Sequence, residues 1–221
     1  MKSAFAALGI GWLISFVAAD QGEIKITHID LQPKANQKLA EGFHRHKEDN
    51  ILPVPKGVGT FANQKFKIEA SLVQLSSPLF EGMPEKVEGI KVDQKLTKLH
   101  ILHGTGYGAY GEEKDGLFVK DDTLIGEYKI VYDDKTTAII PIVYGKDVRD
   151  WWDWDQSKPV TRGTLAWVGE NENSKQYKVK MRLYSMVWQN PHPDKRVVQI
   201  DYRTTGTPCA PFCIAITAES K

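Results

Sequence analysis

The densest run of chemically capable residues lies between Tyr144 and Asp155. There Trp151, Trp152 and Trp154 stand among Asp147, Asp150, Asp153, Asp155 and Arg149. An indole face stacks on the apolar face of a sugar ring, and carboxylate or guanidinium groups bond its hydroxyls. On that reading Trp154 or Trp151 is the platform, and Asp147 and Arg149 are the hydroxyl partners. The competing reading folds Trp151 and Trp152 back as a plug at one end of the domain, with Arg149 paired to a carboxylate. Successive residues of an extended chain point opposite ways, so at most one of Trp151 and Trp152 faces solvent. Trp154 is the better exposed candidate.

Two further segments carry polar and aromatic groups together. In Leu99-His-Ile-Leu-His-Gly-Thr-Gly-Tyr-Gly108 the two histidines are three residues apart. On a strand they face opposite sides and cannot share one metal through one face. His103 is expected buried, its ring bonded to loop backbone, with Gly104, Gly106 and Gly108 letting the chain bend over it. In Trp188-Gln-Asn-Pro-His-Pro-Asp-Lys195 two prolines stiffen a connection that presents His192. Each of the three segments follows a predicted strand. The expected site is therefore shared, built from Tyr107, Asp147, Arg149, Trp151, Trp154 and His192, with Tyr107 closing one wall. No GxSxG elbow, HExxH pair or phosphate-binding loop occurs. Asp147 with Asp150 is weak ground for glycosidase chemistry.

The elements that must position these residues are strands. Tyr128, Ile130 and Tyr132 alternate onto one face. After Asp133-Asp134-Lys135 the chain returns with Ala138, Ile140, Ile142 and Tyr144 on one side, which predicts a hairpin. Pro141 cannot donate to a ladder and places that return strand at an edge or bulge. Val179, Met181, Leu183 and Val187 predict a long strand whose other face, with Lys178, Lys180, Arg182 and Tyr184, is wet. Further strands are expected at Phe66–Leu72, Lys95–His103, Leu165–Trp167, Val198–Tyr202 and Phe212–Ile216. One short helix is a candidate at Asn36–His46. The expected fold is all-β, a two-sheet antiparallel β-sandwich, with Leu183, Trp167 and Ile214 buried between the sheets.

At the amino terminus, Lys2, the apolar run Ala4–Val17 and the small residues before Asp20 read as a signal peptide over residues 1–19. Residues 20–221 then form one β-sandwich domain, with residues 20–50 as a lead-in. The expected location is secreted, periplasmic or cell envelope, with no membrane span after cleavage. The formal charge is +1, and acidic and basic residues alternate without blocks. Nothing in that pattern calls for nucleic acid. Cys209 and Cys213 are the two cysteines. They form either a disulfide across a turn at Ala210-Pro211, as export favours, or two half-buried thiols.

Leu99-His-Ile-Leu-His-Gly-Thr, Ile125-Gly-Glu-Tyr, Ile140 to Trp152, Trp188 to Lys195 and Ala210 to Thr217 occur in an order that resembles a group of exported bacterial domains. These are similar to galactose-binding-like jelly rolls that accompany carbohydrate-active and cell-surface proteins. The resemblance covers residues 50–217 and implies a jelly roll of about eight strands with ligands at loop ends or on a concave sheet face. Many such domains hold a structural calcium; this chain has no recognisable calcium loop, so a structural calcium stays open here, and no other cofactor is expected. The functional expectation is a secreted, non-catalytic, carbohydrate-associated binding module whose partner is a glycan or polysaccharide. The alternatives are an interaction or structural protein of the cell envelope and, third, a polysaccharide hydrolase.

Overall fold

The computed structural model describes residues 23–43, 46–110, 117–155 and 158–221; the predicted signal peptide lies outside them. Where apolar residues alternate with polar ones the chain is extended. In order, the strands are β1 (Lys25–Ile29), β2 (Gln37–Lys38), β3 (Gly57–Phe61), β4 (Gln64–Ile68), β5 (Ser71–Gln74), β6 (Lys86–Lys95) and β7 (Lys98–Gly106). They continue with β8 (Ala109–Tyr110), β9 (Leu117–Phe118), β10 (Leu124–Tyr132), β11 (Thr137–Val143) and β12 (Thr164–Gly169). After a single helical turn and a half, α1 (Glu172–Gln176), come β13 (Met181–Gln189), β14 (Arg196–Thr204) and β15 (Ala210–Ser220).

The strands form two principal antiparallel sheets stacked as a sandwich. The larger has the order β12-β13-β7-β15-β5-β2, with β1 beside the second half of β15; the smaller runs β11-β10-β14-β6. The predicted hairpin is present, with Tyr128 opposite Ile140 and Ile130 opposite Ala138. Its turn closes through Lys135 in the left-handed region and Asp134, whose carboxylate accepts from the Thr136 backbone N–H at 2.9 Å. Pro141 sits on β11, an edge strand, as its missing N–H requires.

One cluster fills the space between the sheets: Tyr128, Ile130, Ile200 and Tyr202 from the smaller, Leu99, Ile101, Tyr184 and Ile216 from the larger. A second cluster lies on the opposite face of the larger sheet, where Leu39, Phe43, Ile51, Phe66 and Ile68 cover Leu102, Leu183, Phe212 and Ile214. A bulge serves both. Cys213 faces His103 and Ala215 faces Leu102, so Ile214 is the extra residue. It inverts the alternation, and Ile216 returns to the inner core.

Several expectations need correction. Leu183 and Ile214 are buried, but in the outer cluster and not between the sheets; Trp167, on edge strand β12, is only partly buried. No helix forms across residues 36–43; that stretch holds β2 and turns, and Leu39 and Phe43 become the lid of the outer cluster because they cap an exposed sheet face. Helix α1 was not anticipated. Its start is set by Asn171, whose side chain accepts from Ser174 N while the Ser174 hydroxyl accepts from Asn171 N, a reciprocal cap. Cys209 and Cys213 are free and buried. The chain runs extended through Ala210–Cys213, which separates them by about 13 Å, beyond disulfide reach. Burial pushes both thiols up to about 12, so neither is a thiolate at neutral pH. Among the described residues no helix is long and apolar enough to cross a membrane.

Candidate functional site

The segment between β11 and β12 begins as a tight turn. Asp147 is fully buried, and its carboxylate accepts from Val143 N at 2.7 Å and from Arg162 Nε and Nη2, both at 2.6 Å. That fork ties the far end of the segment to its start. Gly163 is required there, since a Cβ would come 2.2 Å from the Asp147 carbonyl oxygen. Arg149 donates to both oxygens of Asp121 at 2.9 and 2.8 Å and to Pro159 O at 3.0 Å.

Beyond Arg149 the chain enters the lane between β7 and β13, whose direct pairing stops at His103 and Tyr184. Asp150 bridges Thr105, Trp152 bridges Met181, Trp151 N donates to Thr105 O at 2.7 Å, and Arg182 N donates to Trp151 O at 2.8 Å. The Asp150 carboxylate accepts three backbone N–H groups: Gly108 at 2.7 Å, Ala109 at 3.2 Å and Trp152 at 2.9 Å. Gly108 has no alternative here, because a Cβ would lie 2.3 Å from the Tyr144 ring. Arg182 closes the network, donating to Asp150 O at 2.8 Å, Asp153 at 2.9 Å and Asp155 at 2.6 Å. Arg149 approaches the other Asp155 oxygen at 3.6 Å.

Trp151, Asp147 and Arg149 are therefore structural. Trp151 is fully buried against Phe43 (ring centroids 5.1 Å), Trp152 (5.8 Å) and Phe212 (6.4 Å), the plug and not the platform. Tyr107 is buried in a left-handed conformation (φ 57°) beside Phe80, so it closes no wall. The three segments do not converge. The glycine-rich stretch and the Trp segment meet, but His192 is exposed beyond the far end of β13, about 27 Å along the strand from Met181, where it edges against Tyr132. His100 and His103 face opposite sides as expected. The former meets Glu219 at 3.2 Å; the latter bonds Tyr128 OH at 3.3 Å, not loop backbone. Burial lowers His103 to about 4, which keeps it neutral.

What remains open to a ligand is Trp154, partly exposed, and Tyr177 at the end of α1, 53% exposed. Their ring centroids are 5.8 Å apart at 66°, a corner anchored by Trp152, which lies 5.8 Å from Trp154 and 5.7 Å from Tyr177. Tyr177 escaped sequence reasoning; the Asn171-x-x-Ser174 cap before it was the available signal. The alternation puts Arg182 on a wet face, but that face turns inward at this end of the sandwich, and Arg182 and Tyr184 are buried. Among the described residues no group of three or more His, Cys, Asp or Glu side chains gathers to hold a metal ion.

Burial pushes the Asp150 carboxyl up to about 7, against the pull of its three N–H donors. An unfolded aspartate titrates near 3.9, so between about pH 4 and 7 the folded state holds a proton that the unfolded state has released. Stability from this group therefore falls as pH rises through that window, by on the order of 4 kcal/mol in all, and levels off above it. Denaturant unfolding at pH 5 and pH 7.5 should show the slope, and Asp150→Asn should flatten it. An equal slope in both proteins would refute the assignment.

No family model, no curated protein and no solved structure matches this chain. The fold and the site define it as an all-β, sandwich-like protein with a buried aspartate–arginine network under a surface aromatic corner.

Proposed function

We propose that this chain is a secreted, non-catalytic glycan-binding protein of the galactose-binding-like kind, resident outside the cell or in its envelope. The observation that supports the reading is the Trp154–Tyr177 corner. Two large rings stand at the surface, held by a buried third, where amphipathic aromatics bind sugar faces at little entropic cost. The acidic and basic groups of the neighbouring segment serve as its frame, since Asp147, Arg149 and Asp150 are fully engaged by protein donors and acceptors.

The test is a glycan array probed with the protein secreted from an expression host, repeated with chelator. Binding of at least one glycan class is expected, and Tyr177→Ala and Trp154→Ala should each weaken it about tenfold or more with little change in Tm for Tyr177→Ala. Binding that survives both substitutions would remove the corner from the site. A second reading, protein interaction at the envelope, draws on β1. It pairs only with β15 among the described residues, and Ile24 and Ile26 beside that open edge are exposed. Uniform silence on the array favours it.

A further inference from the structure

The larger sheet has more strands than the smaller one packed on it, and β12 is one of its edges. Leu165 lies directly opposite Tyr184 and Val168 opposite Arg182, and directly opposed residues share a face. Tyr184 belongs to the inner core, so Leu165 and Val168 also point toward the smaller sheet. Yet each remains 50% exposed. Inner-face residues half open to solvent mean that the core is incomplete here. The gap is a groove of about 390 Å³ between β12–β13 and the incoming segment, walled by Pro159, Val160, Leu165, Val168 and Tyr184. That volume falls in the range of small-molecule sites.

The charges of the groove are uneven. At its closed end Arg182 and Asp153 satisfy each other. At the solvent side stand Lys158, exposed and without an ion pair among the described residues, and Lys180, which shares its charge with Glu170 at 2.5 Å. Aliphatic walls with a cation at the mouth complement a ligand with an apolar body and an anionic head. A free sugar, hydroxylated around its ring, would leave those walls poorly matched.

We infer that this groove binds a medium-chain carboxylate, its tail against Leu165, Val168 and Val160 and its carboxylate on Lys158. The site is independent of the aromatic corner and stands or falls separately from glycan binding. The probe is decanoate, kept below its micelle threshold, with decanol as the uncharged match. Decanoate should bind at one site and shift the Leu165 and Val168 methyl resonances, and decanol should bind about tenfold more weakly. Lys158→Gln should erase that preference without moving Tm. Val168→Trp should fill the groove and abolish binding; should that variant fail to fold, Leu165→Glu, at a half-exposed position, should repel the carboxylate to the same effect. Equal binding of decanoate and decanol, methyl shifts elsewhere, binding untouched by the variants, or no binding would each overturn the inference. So would glucuronate shifting these methyls where decanoate does not.

Discussion

Trp151→Ala should lower the free energy of unfolding by about 3–5 kcal/mol, while Tyr177→Ala, two rings away, should lie within about 0.5 kcal/mol of the native protein. Trp151 is fully buried and touches aromatic rings from three parts of the chain: Phe43 of the lead-in segment, Trp152 beside it and Phe212 of β15. Truncation removes the largest buried side chain of the outer cluster and leaves a hole bordered by strands on one side. The lead-in segment is then the wall free to collapse. Denaturant unfolding followed by far-ultraviolet dichroism checks the difference, and equal losses for the two variants would mean that Trp151 is not the keystone described. The contrast also separates folding from binding. A ligand lost in Trp151→Ala says nothing about a site, but one lost in Tyr177→Ala does.

The strand pairings were legible because they rest on local alternation. Tyr128 to Tyr132 against Ala138 to Tyr144 needs only a period of two and a polar turn, and the structure forms that hairpin, with Tyr128 to Val131 opposite Ile140 to Thr137. The side on which a residue is buried was less legible. Period two says that Leu183 and Arg182 face opposite ways but not that both faces of this sheet are covered, one by the smaller sheet and one by the chain around Leu39 to Ile68. Arg182 therefore read as solvated when its partners, Asp153 and Asp155, come from about thirty positions away. The Trp segment failed for the same reason. Its composition suits a sugar platform, but Asp147 finds Arg162 and Asp150 finds the amides of Gly108 and Ala109, contacts that only the closed fold supplies. Ile214 adds a further limit, since a bulge shifts parity without any mark in the sequence around it.

Arg182→Met should cost about 3–5 kcal/mol at neutral pH, as much as losing Trp151 but by a different mechanism. The guanidinium is buried and satisfies three acceptors at once: the Asp150 carbonyl, Asp153 and Asp155. Asp153 can turn to water, because it is partly exposed, but Asp155 is buried and keeps only the 3.6 Å approach of Arg149. Arg149 cannot move closer without giving up its two bonds to Asp121. Most of the loss is then the penalty of a stranded carboxylate, and two results should follow. Burial already raises the Asp155 pKa, so removal of Arg182 raises it further, and the deficit of Arg182→Met should shrink as pH falls and the carboxyl takes up a proton. Replacing the acid as well, in Arg182→Met with Asp155→Leu, should recover a large part of the stability, because a buried pair exchanged for apolar side chains of similar size is often close to neutral. The four corners of that double-mutant cycle, measured by denaturant unfolding at pH 7.5 and pH 5, give the coupling directly. Additive losses at both pH values would show that Arg182 acts through packing on Tyr184 and not through the charge it neutralises.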